Sequence, residues 1–362
     1  MWLVAIGVGG SYHRSMSGLV RWLRSGRGLA SYAVCVLAFM VLIVLEGAIV
    51  RATGSGAGCG NHWPLCNGLF FPLRHPRVAT VIEFTHRAMT GLCSTLVVVL
   101  IVWVYQARAK GDRVRRAAKW VGILLVTEAL LGAVLVKGGY VEFNASDMRV
   151  FMQCIHFTNT MLLLAALALT WWWAREAGGV SGLRPSQPQG LKPHDEWGTD
   201  GTAEAVPLRG LGLSTSAEDS EDLGAKTLAW VAVVATIVVG ATGSVAALAD
   251  TLFPSPSLMA GLRDDFSAAA PLLVRMRWVH PAAALVGVVC VGWLCLRVRT
   301  RVSAWLAGLL VLQMVLGVGD VLLLAPTWMQ VVHLLGADLY WIVLVIVAAD
   351  VLWVETKTYP RG

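Results

Sequence analysis

Four histidines stand where the chain is otherwise apolar, each a few residues inside a hydrophobic run: His86, His156, His280 and His333. An ionisable side chain within such a run is costly and points by default to function. Any one of them is also explained as a packing residue that hydrogen-bonds inside a helix bundle. Four in matching contexts ask for a shared purpose. Two neutral imidazoles facing each other across a bundle suit an iron porphyrin, because the flat macrocycle slots between helices and its iron takes axial histidine. Zinc would ask for more ligands and for thiolates. Cys154, two residues from His156, points elsewhere on its helix.

Glu83 lies three residues before His86 and so shares its helical face. At a membrane edge a carboxylate is explained by favourable contact with a helix start. Beside a bound substrate it would accept a proton or stabilise a developing cation. The matching position before His280 holds Arg277. The two sites are thus alike in ligands and unlike in the group beside them, so the first reads as reactive and the second as an electron carrier. Cys59 and Cys66 form a C-x6-C pair in a glycine-rich loop, "VRATGSGAGCGNHWPLCNG". On an oxidising face such a pair serves as a structural clip or as a redox couple, and the spacing does not choose. Cys35, Cys93, Cys154, Cys290 and Cys295 fall in apolar runs and read as small packing residues. Arg51 and Arg87 are candidates for paired contacts to propionate groups, or for snorkelling at the interface. His62 reads as a loop residue.

The elements that must position these groups follow from composition. Of 362 residues, 57% are hydrophobic and 14% charged, which excludes a soluble globular chain. Runs of about 20 apolar residues, the length that crosses a bilayer as a helix, occur at 31–50, 82–106, 117–137, 151–173, 227–249, 274–297, 302–324 and 328–353. Arginine and lysine set the orientation. Arg14, Arg21, Arg24 and Arg27 precede the first run, Arg108 to Lys119 join the second to the third, and Arg297, Arg299 and Arg301 join the sixth to the seventh. Both termini are expected in the cytoplasm. The net charge of +7 is this topology signal spread over loops, not a nucleic-acid footprint. Residues 1–30 lack the h-region and cleavage site of a removed signal peptide.

The chain also repeats. "QCIHFTNT" and "QVVHLLGA" both place glutamine three residues before histidine, "EFTHRAMTGL" is matched by "RWVHPAAALVG", and "LLVTEALLGAVLV" by "LLVLQMVLGVGDV". A-T-G-S occurs in both the first and fifth runs and is expected at the same place in each half. An even number of spans per half makes the copies parallel in orientation. The expected fold is an all-α membrane protein, with eight transmembrane helices as two pseudo-symmetric four-helix bundles. The expected divisions are a cytoplasmic segment 1–30, a first bundle 31–173, a flexible polar linker 174–226, a second bundle 227–353 and a cytoplasmic tail 354–362. Every histidine then starts from one face of the membrane, at one depth.

The cysteine loop, "IEFTHR" with Glu83 and His86, and the later histidines in "QCIHFTNT", "RMRWVHP" and "MQVVHLLGAD" resemble the heme A synthase family over nearly all eight spans. The resemblance implies a bacterial cytoplasmic-membrane oxidoreductase of cytochrome oxidase biogenesis. It would oxidise the C8 methyl of heme O to a formyl group through a hydroxylated intermediate, with water as the oxygen source. It also implies heme B as cofactor, on the axial ligands His280 and His333, substrate heme near His86 and His156, Glu83 as the catalytic residue, and a Cys59–Cys66 disulfide. A heme O synthase and an electron acceptor are candidate partners. Small residues on the spans permit a homo-oligomer without selecting one. Glu128 and Asp320, inside spans three and seven, have no role in this reading. A diheme electron-transfer cytochrome would use the same four histidines but commonly stacks two ligands on one helix, whereas here each helix gives one at one depth; a heme carrier would explain the ligands but would not require Glu83.

Overall fold

The computed structural model describes residues 26–71, 75–180 and 216–353. The expected segment 1–30 lies almost wholly outside these residues, as do much of the expected linker and the tail 354–362. The elements in chain order are α1 (Gly26–Ala52), α2 (Val78–Ala107), α3 (Arg113–Lys137), α4 (Asp147–Val180), α5 (Ser216–Leu252), α6 (Leu258–Asp265), α7 (Leu272–Arg275), α8 (Val279–Arg297), α9 (Arg301–Leu322) and α10 (Thr327–Leu352). Eight helical stretches are long and apolar enough to cross a membrane: α1 to α5, the α7–α8 stretch Leu272–Arg297, α9 and α10. The described residues form no β-strand. This is an all-α, integral multi-pass membrane protein. Helices dominate because a lipid interior leaves every backbone donor and acceptor to be satisfied within its own segment.

Polar residues mark where the helices begin. Asp112 caps α3 by accepting the Val114 N–H at 2.7 Å, and Thr300 opens α9 with a reciprocal capping box to Ser303. Pro271 and Pro326 occupy the N-cap positions of α7 and α10. Helix α4 runs on to Val180 and α5 starts at Ser216, so both reach into the stretch expected as linker.

Helices α1 to α4 pack in a ring, α1 on α2, α2 on α3, α3 on α4 and α4 back on α1. Helices α5, α8, α9 and α10 do the same. Helices α4 and α5, α4 and α10, and α1 and α10 meet between the two rings. One apolar core runs through this junction, including Val36, Leu163, Leu167, Leu344 and Val347. Polar ties reinforce it: Trp341 Nε1 donates to the Met161 carbonyl at 2.7 Å and Trp172 Nε1 to Asp350 at 2.8 Å. Large exposed apolar side chains occur on every span, Trp120 on α3, Trp293 on α8 and Trp305 on α9 among them, where a bilayer replaces a protein neighbour.

The A-T-G-S stretches are not at the same place. In the first half Ala52 ends α1 and Gly54 turns the chain out with φ +64°, whereas Ala241–Ser244 lies inside α5. The glycines that correspond are Gly47 and Gly243, each held against the histidine ring of the following span. The shared letters reflect a threonine that bonds back to its own helix in both cases, Thr53 to Ile49 and Thr242 to Val238.

Candidate functional site

The four histidines occupy the N-terminal ends of α2, α4, α8 and α10, the ends reached from the loops that follow α1, α3, α5 and α9. In the second half the rings of His280 and His333 meet edge to face, with centres 6.4 Å apart and planes at 78°. Two imidazoles that bind one metal from opposite sides, with metal–nitrogen bonds of about 2 Å, stand roughly 6 Å apart between ring centres. The separation of this pair suits two rings that would share one iron. His280 Nδ1 lies 3.1 Å from the Val239 carbonyl. That contact puts the proton on Nδ1 and leaves the Nε2 lone pair for a metal. His333 is contacted by Gln313, whose Nε2 is 3.3 Å from Nδ1 and also donates to the His333 carbonyl at 3.0 Å.

Glycine makes the room for these rings. A Cβ on Gly243 would stand 2.9 Å from His280 Cε1, one on Gly317 would stand 3.2 Å from His333 Cε1, and one on Gly47 would stand 3.2 Å from His86 Cε1. Gly336 likewise leaves space for the Gln313 amide, whose Oε1 would be 2.5 Å from an added Cβ.

In the first half the ring nitrogens meet carboxylates. His86 Nδ1 is 3.8 Å from Glu46 on α1, and His156 Nδ1 is 3.5 Å from Glu128 on α3. Both Nδ1 atoms are buried without a hydrogen-bond partner, so the carboxylates stand near them without bonding. Glu128 is fixed by Asn159, which donates to it at 2.6 Å, and by the Thr160 hydroxyl. Thr90 and Thr160 each donate to the carbonyl of the histidine one turn earlier, at 2.7 and 2.9 Å. Sequence reading left Glu128 without a role and passed over Glu46. The match of Glu128 to Gln313 in the repeat was the available signal.

Glu83 is 3% exposed. Its carboxylate accepts the Cys59 N–H at 2.6 Å and pairs with Arg87. Arg87 also donates to the carbonyls of His62 and Leu65, at 2.5 and 2.8 Å. Three candidates are thus brought together: Glu83, Arg87 and the Cys59–Cys66 disulfide. The loop lies directly on the first turn of α2. Thr80 donates to the Gly58 carbonyl at 2.7 Å, and a Cβ on Gly58 would sit 2.3 Å from the Ala79 oxygen, so no larger residue fits. This answers what the glycine-rich loop does: it clamps the start of the helix that carries Glu83 and His86. The remaining cysteines are free thiols.

Arg51 points the other way, out of its own half. It donates to the Ala247 carbonyl at 2.6 Å, the Thr251 hydroxyl at 2.7 Å and Gln330 Oε1 at 2.8 Å, on α5 and α10. The glutamine three residues before His333 is therefore the acceptor for this arginine. Arg277, the counterpart of Glu83, pairs with Asp265 at 2.8 Å and Asp250 at 3.1 Å. Among the described residues no group of three or more histidine, cysteine or acidic side chains could hold a bare metal ion.

The family model described as cytochrome oxidase assembly protein, COX15-CtaA, matches residues 30–345. A Thermus thermophilus protein named protoheme IX farnesyltransferase is 40% identical over 342 residues, 92% of this chain and 50% of that protein. Proteins named heme A synthase match shorter stretches. That of Alkalihalophilus pseudofirmus is 33% identical over 165 residues, 45% of this chain and 52% of its own length. That of Shouchella clausii is 34% identical over 143 residues, 40% and 44% respectively. The chain spans about half the length of these curated relatives. With a match that runs from α1 into α10 and takes in all four histidines, the chain belongs to the COX15-CtaA family of cytochrome oxidase assembly proteins.

Proposed function

We propose that this protein is a heme A synthase, an oxidoreductase that converts the C8 methyl of heme O to a formyl group. The first half, 31–173, would receive heme O between His86 and His156, and the second half, 227–353, would hold heme B on His280 and His333. The observation that carries the reading is an asymmetry. Each half sets two half-buried histidines at the N-terminal ends of its second and fourth spans, with the buried Glu83 three residues before His86 and an ion-paired Arg277 three residues before His280.

The net change takes one water and releases four electrons and four protons per methyl, in two stages through a hydroxymethyl group. Heme B, when bound, supplies one-electron redox chemistry. The chain supplies the rest. Glu83, held by Arg87 and by the Cys59 N–H, accepts a proton as water adds to the oxidised methyl carbon and stabilises positive charge developing there. The disulfide loop keeps that carboxylate in place through the Cys59 N–H. Gly47 leaves space for the His86 ring beside α1. Electrons pass from the substrate to the second half and then to an acceptor in the membrane.

The orientation we propose puts both termini in the bacterial cytoplasm, supported by the basic loops after α2 and α8 and by a disulfide at the opposite end. An enzyme that farnesylates protoheme would supply the substrate, and the likeness to a protein named for that transfer supports such a partner. The test is expression in cells that make heme O but no heme A: the reading predicts heme A in the membranes, and heme O alone would overturn it.

A further inference from the structure

We infer that Glu46 and Glu128 are positioning residues that make His86 and His156 stronger electron donors to iron than His280 and His333, so that the iron of the first half is the harder of the two to reduce. The inference rests on the proposed function, in which His86 and His156 hold a heme.

Each first-half histidine turns Nδ1 toward a carboxylate, at 3.8 Å from Glu46 and 3.5 Å from Glu128. A carboxylate behind Nδ1–H fixes the tautomer, frees Nε2 for the metal and raises the basicity of the ring. The second half puts neutral groups where the first has carboxylates. His280 turns Nδ1 to the Val239 carbonyl, and the amide nitrogen of Gln313 lies against the His333 ring, 3.3 Å from Nδ1 and 3.5 Å from Nε2. The replacements are positional. With Gly47 and Gly243 as corresponding residues, Glu46 matches Thr242, whose hydroxyl is used on the Val238 and Val239 carbonyls of its own helix. By the repeat, Glu128 matches Gln313. Two carboxylates on two different helices thus face the two first-half ligands, and neutral groups face both second-half ligands.

Acids inside an apolar bundle are costly, and among the described residues these two pair with the histidines rather than with arginine or lysine. Glu46 Oε2 and His86 Nδ1 are both buried without a hydrogen-bond partner, and at 3.8 Å they stop short of bonding each other. That is the arrangement expected of a pair completed when the imidazole binds a cationic iron. A ferric centre gains from the added negative charge and a ferrous one gains less, which lowers the reduction potential. Electron flow from the first half to the second is then downhill.

The test is an optical redox titration of the purified full-length protein carrying heme in both halves, with heme content measured first. Glu46→Gln and Glu128→Gln are each expected to raise the first-half midpoint, multiplying the ferrous-to-ferric ratio at fixed potential by tenfold, about 59 mV for one electron, and to leave the second-half midpoint alone. Gln313→Glu should lower the second-half midpoint by a similar ratio, which keeps the test open if a first-half variant fails to fold. Two bound hemes with midpoints unmoved by all three substitutions would overturn the inference while leaving the proposed function intact. A wild-type protein that binds no heme on the first-half histidines would instead overturn the reading beneath it, and the inference with it.

Discussion

The backbone N–H of Cys59 reaches the carboxylate of Glu83 at 2.6 Å across 24 residues of sequence, so the disulfide loop and the candidate catalytic acid form one unit. A side chain held this way has two separable duties, bracing the loop and moving a proton. Glu83→Gln keeps an oxygen that accepts the Cys59 N–H but cannot take up a proton as a carboxylate does. The predicted outcome is conversion of heme O reduced by roughly 100-fold or more, with bound heme B and thermal stability near wild type. Glu83→Ala should lose conversion and about 1–3 kcal/mol of stability as well, because a buried donor is left unpaired. Turnover and detergent-phase melting of the two variants measure both duties.

The Cys59–Cys66 bridge closes a short loop, with a sequence separation of 7. Loop closure of this size contributes about 2–3 kcal/mol by restricting the unfolded chain. A Cys59→Ala/Cys66→Ala protein is expected to melt earlier and to be cut by protease within 53–71, while retaining heme on His280 and His333. Loss of that second-half heme would show that the loop supports more than the start of α2.

Gly243 is predicted to be intolerant of a methyl group. Its Cβ would stand 2.9 Å from the His280 ring, so Gly243→Ala must push the ligand aside and should lower heme B retention several-fold. Gly292→Ala, in the same half with nothing within 4 Å of the added atom, is the matched control. It should retain heme and gain up to about 1 kcal/mol from the helical preference for alanine. Heme-to-protein ratios after purification compare the two.

Arg51 ties the halves together through Ala247, Thr251 and Gln330. Arg51→Met is expected to cost about 2–4 kcal/mol, since charge-assisted hydrogen bonds are the stronger kind and their buried acceptors lose a donor. Denaturant titration in detergent reads the effect. A variant of unchanged stability that loses heme would instead assign Arg51 to a propionate.

Much of this was legible in the sequence because a bilayer allows few solutions. Eight apolar runs separated by basic and polar loops become helices, and the described spans match the expected runs closely. Four histidines in repeated contexts marked the candidate site for the same reason: ionisable groups in lipid are rare enough to be informative. What stayed hidden depends on contacts between helices. Glu46 ends an unbroken apolar stretch, and nothing nearby in sequence names His86 as its partner. Glu128 was visible, but His156 lies on the next helix. The A-T-G-S match misled because identical letters fill a helix exit in one half and a helix interior in the other. Gly47 and Gly243, which do correspond, are recognised only once a histidine ring is seen against each.

The central claim is that matched histidine pairs serve a reactive half and an electron-carrying half, with Glu83 as the difference. The most direct measurement is the heme extracted from the purified protein and from Glu83→Gln, produced side by side in cells that make heme O but have no other heme A activity, separated by chromatography and weighed. The account predicts heme B with heme A or its hydroxylated precursor from the unaltered protein, and heme B with unconverted heme O from the variant. Heme B alone from both, or equal conversion by both, would contradict it.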